Sequence, residues 1–259
     1  MKDFQEKNLT EFSEFDLNVK LAAEVQELLF PKSSPLCEWC CMGVKFRMAQ
    51  GLGGDYFDFI TAPDGCQFIM IGDVTGHGLH ASVVMSLLYG FIYRASIDRC
   101  DPLKVAEDAN GFLEKFAKRS LELDHFFSTT LFCGIIHPQT LRMRYVNAGH
   151  VPPLVRRGME ILELSSTAPP LGFFENPEIS VAHFQFSRGD RLFLYTDGVV
   201  ETSNQAGELF GKTSVKEILL QDGSDHLTFL DHLFATLDGF GAGSRLADDC
   251  TAIVFDVHG

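Results

Sequence analysis

Basic residues are scarce in this 259-residue sequence, which carries 21 lysines and arginines against 35 aspartates and glutamates. The formal net charge of −14 argues against nonspecific nucleic-acid binding, because such binding needs a basic surface that displaces counterions. The same charge argues against docking on an anionic membrane surface. The composition therefore predicts that neither nucleic acid nor a membrane is a partner.

Long apolar runs are also missing from the sequence. No run approaches the length that spans a bilayer, and the start, MKDFQEKNLT, has no apolar segment of the kind found in signal peptides. We therefore expect a cytoplasmic protein without a membrane span.

The cysteines do not form the pattern of a disulfide framework. There are seven of them at irregular spacings, which is typical of reduced thiols. Cys37 and Cys40 form a CxxC, but no second pair follows that would complete a zinc site. Cys41 and Arg47 have the Cys-x5-Arg spacing of cysteine phosphatases. We discount that alternative because the residues between them alternate as in a strand and do not suggest a loop around a phosphate.

No linker or repeat divides the chain, and its hydrophobic content of 46% suffices for a substantial core. We expect a mobile N-terminus over 1–13, a linker or regulatory segment over 14–31 and one domain over 32–259. In that domain, apolar runs follow one another as in β-hairpins and helices come in pairs. This pattern favours an α+β fold in which helices cover antiparallel sheets.

The segment 14–30 is predicted to be an amphipathic helix. Its apolar face consists of Leu17, Leu21, Val25, Leu28 and Leu29. Such a face could pack on its own domain. It could equally join two copies in a homodimer or receive a regulator, and the sequence leaves these alternatives open.

Four aspartates lie next to glycines or at the ends of apolar runs. Asp73 ends one such run and precedes two glycines in IGDVTGHG, and Asp197 follows LFLYT in the same way. Asp55 lies in GLGGDYFD, and Asp248 opens the last apolar run. A single Asp–Gly pair usually forms only a turn. Four aspartates in such places, however, predict a shared site.

Carboxylates that meet in a core repel one another unless a cation joins them. Ligation by oxygen alone favours Mg²⁺ or Mn²⁺ over zinc. Two such ions can activate a water between them and stabilise both the attacking and the leaving oxygens at phosphorus. The pattern therefore predicts hydrolysis of phosphate esters.

Several segments resemble a known family in order and spacing along nearly the whole chain. They are LAAEVQELLFP, GLGGDYFDF, IGDVTGHGLHASVVM, VNAGHVPPLV, PPLGF, GDRLFLYTDGVVETSN and ADDCTAIVF. Together they resemble the PP2C-type serine/threonine phosphatases, specifically the bacterial stage II sporulation E (SpoIIE) and RsbU-like branch. The resemblance implies a four-layer αββα sandwich, with two antiparallel sheets flanked by helix pairs and two Mn²⁺ or Mg²⁺ ions at one edge.

The resemblance also implies roles for individual residues. Asp73 is expected to bridge both ions, with the backbone carbonyl of Val74 facing one of them. Asp197 and Asp248 are expected to complete the second ion site, and Asp55 to serve the first, directly or through water. Water activated by the ions, and no side chain, is the expected nucleophile. The residues expected to support these ligands are Asp249, Gly54, Gly76 and Asn147.

The implied activity is that of a protein serine/threonine phosphatase. Its substrate would be a phosphorylated regulatory protein, by family analogy a STAS-domain anti-anti-sigma factor in a partner-switching pathway. One alternative is a phosphatase fold that serves as a binding or regulatory module with little catalysis. A second alternative is a hydrolase of small phosphate esters. The binding module is disfavoured because no expected ligand aspartate is missing.

Overall fold

The computed structural model describes residues 14–31, 37–99, 101–120, 127–241 and 247–258. The helices are α1 Glu14–Glu27, α2 Leu79–Arg99, α3 Pro102–Ser120, α4 Asp197–Glu201, α5 Gly211–Gln221 and α6 His226–Phe240. The strands are β1 Cys40–Arg47, β2 Asp55–Thr61, β3 Gln67–Val74, β4 Thr129–Ile136, β5 Arg142–Ala148, β6 Leu154–Arg157, β7 Glu160–Glu163, β8 Ala182–Gln185, β9 Arg191–Tyr195 and β10 Cys250–Val257. The segment 1–13, expected to be mobile, lies outside the described residues. Within the described ranges, no helix is long and apolar enough to cross a membrane.

The strands form two antiparallel sheets that pack face to face. Sheet one has the order β1-β10-β9-β6-β7, and sheet two has the order β2-β3-β4-β5-β8. Helices α2 and α3 cover sheet two, whereas α6 covers sheet one beside α5. The expected α+β sandwich of four layers is therefore confirmed.

The central strands are buried on both faces. In β9, Leu192 and Leu194 point into the core between the sheets, whereas Phe193 and Tyr195 point to the helical layer around Phe229. Because both faces of such a strand are covered, its sequence is apolar throughout and does not alternate. The apolar runs that end in aspartates are therefore interior strands, and the aspartates emerge where these strands stop.

The structure adds two local features to the sequence analysis and corrects one expectation. DYFDFIT, in which aspartates interrupt the apolar residues, forms β2. Asp197 does not end a strand, because β9 stops at Tyr195 and Asp197 is the first residue of the short helix α4. The N-terminal helix ends at Glu27, before the expected end at residue 30. The chain leaves the helix there because Phe30 turns into the core, 3% exposed, and stacks on Phe57 with ring centroids 4.7 Å apart.

Most of the apolar face of α1 does not pack on the domain. Leu17, Leu21 and Val25 are 53%, 50% and 62% exposed, and Leu28 just beyond the helix is 71% exposed. Only Leu29 packs against the core. Packing on its own domain therefore does not account for this face.

The Cys-x5-Arg segment lies entirely within strand β1. The guanidinium of Arg47 forms an ion pair with Asp238 of α6, and burial raises the pKa of the Cys41 thiol. A cysteine phosphatase needs the opposite, namely a thiolate within a phosphate-binding loop. The structure therefore gives no support to a cysteine nucleophile.

Candidate functional site

The aspartates meet at one end of the sandwich, where strands of both sheets stop. Asp55 begins β2 and lies directly opposite Asp73 near the end of β3. From sheet one, Asp197 follows β9 and Asp248 precedes β10, two strands that are neighbours. The electrostatic influence of Asp197 and Asp248 on Asp73 shows that the two groups of acids face each other. The fold thus brings together the four aspartates that the sequence singled out.

The carboxylates of this cluster are held in an unfavourable environment. Burial raises the pKa of Asp73 to about 8, and the charges of Asp197, Asp248 and Asp249 contribute to the same shift. Burial also raises the pKa of Asp197, and Asp248 adds to that effect. A proton or a cation that neutralises such carboxylates stabilises the folded chain.

Asp55 joins the two sheets through hydroxyl groups. Its Oδ2 atom accepts hydrogen bonds from Thr196 Oγ1 at 2.9 Å and from Thr251 Oγ1 at 2.6 Å. Both threonines belong to the sheet-one side and are fully buried. Burial, followed by the charge of Asp73, raises the pKa of Asp55 well above its usual range. The hydrogen bonds from the two threonine hydroxyls lower the pKa of Asp55 in part, and they fix the orientation of its carboxylate.

Gly54 lets two oxygen atoms approach its backbone closely. A Cβ atom on this residue would lie 2.7 Å from the Val74 carbonyl oxygen and 2.8 Å from Asp73 Oδ1. The loop is held close by a hydrogen bond from Val74 N to Gly54 O of 3.2 Å. A carbonyl and a carboxylate that face the same space are the donors that Mg²⁺ and Mn²⁺ prefer.

The chemistry of these donors fits a hard cation, because the converging groups are carboxylates and a carbonyl. In the described parts of the chain, no group of three or more His, Cys, Asp or Glu side chains is arranged to hold a metal ion. The argument for a cation therefore rests on the mutual repulsion of the acids and on the oxygen atoms that converge beside Gly54.

Asp249 is bonded to the loop that carries Gly54. Its Oδ1 atom accepts from Ala49 N at 2.8 Å and its Oδ2 atom accepts from Gly54 N at 2.9 Å. The backbone of Gly198 also packs closely against the backbone of Asp249. A Cβ on Gly198 would lie 2.0 Å from the Asp249 carbonyl oxygen. Asp249 therefore connects the Asp248 segment with the loop beside the cluster, and backbone amides occupy both of its carboxylate oxygens.

Gly76 and Asn147 shape turns near the cluster. Gly76 has a φ of +95° in the turn between β3 and α2, where a residue with a Cβ would be strained. Asn147 is fully buried, and its Oδ1 atom accepts from His150 N at 2.9 Å. Gly76 has no side chain, and among the described residues the Asn147 side chain bonds Leu164 O and His150 N and none of the acids, so any influence on them is indirect.

Several residues at the site were not found from the sequence. Thr196 and Thr251 hold Asp55, and Gln26 of α1 forms two hydrogen bonds with Gly53, from Nε2 to the carbonyl at 2.8 Å and from the amide to Oε1 at 3.1 Å. Thr196 adjoins Asp197, which is the one local signal that could have pointed to it. Gln26 is far away in the chain and carries no such signal.

The comparison with protein families identifies the chain. Residues 63–258 match the family model of the stage II sporulation protein E (SpoIIE). This chain belongs to the SpoIIE family. The predicted resemblance is therefore confirmed, whereas the boundary at residue 32 stays a prediction because the match begins later.

Curated relatives of this SpoIIE-family chain are longer proteins. Protein IcfG of Synechocystis is 26% identical over 263 residues, which cover 92% of this chain and 41% of the relative. Phosphoserine phosphatase RsbP of Bacillus subtilis is 30% identical over 158 residues, which cover 60% of this chain and 38% of the relative. The chain thus spans less than half the length of these two relatives.

Solved structures share the fold of this SpoIIE-family chain. The SiaA-PP2C domain of Pseudomonas aeruginosa superposes with a TM-score of 0.81 at 18% identity, covering 93% of this chain and 96% of that domain. The catalytic domain of the phosphatase PstP in complex with two manganese ions superposes with a TM-score of 0.62 at 16% identity, covering 85% and 99%. The fold is therefore of the PP2C type.

Proposed function

We propose that this SpoIIE-family chain is a metal-dependent protein serine/threonine phosphatase. One observation carries the proposal: Asp55, Asp73, Asp197 and Asp248 converge at the sheet ends, where burial raises the pKa of Asp55, Asp73 and Asp197 and so favours their neutralisation. Membership of the SpoIIE family and the name of the relative RsbP, a phosphoserine phosphatase, support the same activity.

The proposed ligands of two Mn²⁺ or Mg²⁺ ions are the four aspartates and the carbonyl of Val74. When bound, such ions lower the pKa of water and stabilise negative charge on a reacting phosphate. Thr196 and Thr251 keep Asp55 oriented, and Asp249 holds the Gly54 loop against Val74. The protein thereby fixes its oxygen donors before substrate arrives, which avoids reorganisation during the reaction.

The proposed substrate is phosphoserine or phosphothreonine on a regulatory protein. A STAS-domain anti-anti-sigma factor is the substrate that the family resemblance suggests, and it stays a proposal together with the cytoplasmic location. Fold and site do not name a partner. A comparison of substrates is therefore part of the test.

The test measures hydrolysis of a phosphoserine protein and of an aryl phosphate by the full chain. We expect activity with Mn²⁺, its loss in EDTA, and its recovery when Mn²⁺ is added back in excess. We also expect kcat/KM to be higher for the phosphoprotein, and the phosphoprotein to inhibit hydrolysis of the aryl phosphate competitively.

Other results would contradict the proposal. Activity that persists in EDTA would exclude a metal-dependent reaction. A preference for the small ester over every phosphoprotein would favour the small-ester hydrolase. Tight binding of a phosphoprotein without turnover, at any Mn²⁺ concentration, would favour the binding module.

We further propose that α1 joins two copies of the chain in a homodimer. Its exposed apolar residues lie on one helix face, and most of this face is exposed to solvent in a single copy. The same helix reaches the site, because Gln26 holds both the amide and the carbonyl of Gly53. A dimer or a regulator on α1 would thereby influence the loop beside the carboxylates.

Charge on this face should dissociate the dimer. We expect Leu21→Glu combined with Val25→Glu to shift the chain to monomer in sedimentation velocity runs. The matched control is Met159→Glu, an exposed apolar side chain on the β6–β7 hairpin, and it should leave the oligomeric state unchanged. A wild-type chain that is already monomeric at high concentration would contradict the homodimer and leave a separate regulator as the occupant.

A further inference from the structure

His150 is a buried residue with only one satisfied ring nitrogen. Its side chain is 3% exposed, and Nδ1 lies 3.0 Å from Thr130 Oγ1. Within the described residues Nε2 has no hydrogen-bond partner. A buried polar atom without a partner costs free energy, and an apolar side chain of similar size would avoid that cost. The presence of a histidine at this position therefore calls for a functional explanation.

Thr130 connects this ring to Asp73. The two residues are directly opposite in the pairing of β3 with β4, and Asp73 N donates to Thr130 Oγ1 at 3.2 Å. An amide can only donate, so the Thr130 oxygen accepts in this bond and its own hydrogen is free to point to His150. In the tautomer that uses this hydrogen, the ring accepts at Nδ1 and carries its own hydrogen on Nε2.

The far edge of the ring faces sheet one. Burial lowers the pKa of His150 to about 4, so the ring is neutral at physiological pH, while the Tyr195 backbone carbonyl acts in the opposite direction. The ring therefore lies next to that carbonyl, although Nε2 forms no hydrogen bond of ordinary geometry among the described residues. Tyr195 lies two residues before Asp197, so the ring lies between Thr130 of β4 and the end of the strand that leads to Asp197.

We propose that His150 is a positioning residue for the carboxylate cluster. Through Thr130 it fixes the backbone amide of Asp73, and its ring lies between Thr130 and the end of the strand that leads to Asp197. The adjacent Thr129 hydroxyl donates to the Asp73 carbonyl at 2.7 Å, so threonines of β4 hold Asp73 at both its amide and its carbonyl. The consequence for metal affinity rests on the proposed function, whereas the consequence for the Asp73 amide does not.

The first arm of the test follows hydrogen exchange at the Asp73 amide in the metal-free full chain. We expect exchange to become about fivefold faster in Thr130→Val and in His150→Leu, which each break the hydrogen-bond relay from His150 through Thr130 to the Asp73 amide. Thr130→Ser keeps a hydroxyl and His150→Asn keeps an acceptor near the position of Nδ1, so both should exchange like the wild type. Unchanged exchange in Thr130→Val, or equal acceleration in His150→Leu and His150→Asn, would overturn the proposal.

The second arm measures the Mn²⁺ dissociation constant by titration calorimetry. Loss of a group that orients metal ligands weakens affinity by about 10- to 100-fold, and we expect that range for Thr130→Val and His150→Leu. The double variant should be no weaker than the worse single variant, because both act through one relay. Independent, additive losses would overturn the relay. A wild type that binds no Mn²⁺ would contradict the proposed function, and the exchange arm would still decide the role of His150.

Discussion

Asp73→Asn is expected to abolish Mn²⁺-dependent hydrolysis and, in the same protein without metal, to raise the melting temperature. The loss follows because Asp73 would be one of the residues that hold the ions. Transition-state stabilisation by such ions amounts to several kcal/mol, so the rate should fall by about 10³-fold or more. The gain in stability follows because the substitution removes a charge that burial and neighbouring carboxylates disfavour.

The gain in stability should depend on pH in a defined direction. The folded-state pKa of Asp73 is about 8, above the value of about 4 for an unfolded aspartate. Between these values the folded chain binds more protons than the unfolded chain, so the free energy of unfolding falls as pH rises through this window. The wild type should therefore lose metal-free stability from about pH 4 to about pH 8, and Asp73→Asn should lose less of it.

Melting curves with and without Mn²⁺ across this pH range check the prediction. Excess Mn²⁺ should reverse the order of the two proteins, because only the wild type gains stability from binding the ion. Asp58→Asn is the matched control, since burial also raises the pKa of Asp58, which bonds Tyr89 and is not part of the cluster. Equal loss of hydrolysis in both variants would indicate that Asp73 has no special role.

The sequence could locate the candidate site because the acids lie at chain positions with a local signature. Asp73 and Asp197 follow apolar runs and precede glycines, and interior strands of this kind end at a common edge of the sandwich. Thr130 and Gln26 have no such signature. Whether their side chains reach Asp73 or Gly53 depends on strand register and on helix docking, which are properties of the folded chain.

The same limit explains why β2 was missed. Its sequence contains Asp55 and Asp58, and aspartate is depleted in strands. Both are buried nonetheless, because hydroxyls supplied from elsewhere in the chain satisfy them: Thr196 and Thr251 bond Asp55, and Tyr89 bonds Asp58 at 2.7 Å. A strand that depends on distant partners cannot be recognised from its own residues. By contrast, β9 and β10 supply their own apolar surface, which the sequence shows as the apolar runs beside Asp197 and Asp248.

Gly54→Ala is expected to lower Mn²⁺-dependent hydrolysis by about 10²-fold, the scale of a displacement of about 1 Å at a reacting centre. The added methyl group would lie 2.7 Å from the Val74 carbonyl and 2.8 Å from Asp73 Oδ1, so at least one proposed ligand must move. The carbonyl belongs to the backbone of an interior strand and cannot yield as a flexible side chain would. The substitution therefore tests the space between the ligands without changing any ligand.

Gly239→Ala is the matched control for this change. Gly239 lies in α6, and a Cβ there meets no atom within 4 Å. Its replacement should leave hydrolysis and Mn²⁺ affinity unchanged and should stabilise the helix by about 0.5–1 kcal/mol. The decisive measurement is the Mn²⁺ dissociation constant of the two folded variants, with circular dichroism to confirm that each is folded. Wild-type affinity and turnover in Gly54→Ala would show that the space beside Val74 and Asp73 is not where the ion binds, and the centre would then have to lie on the Asp197 and Asp248 side alone.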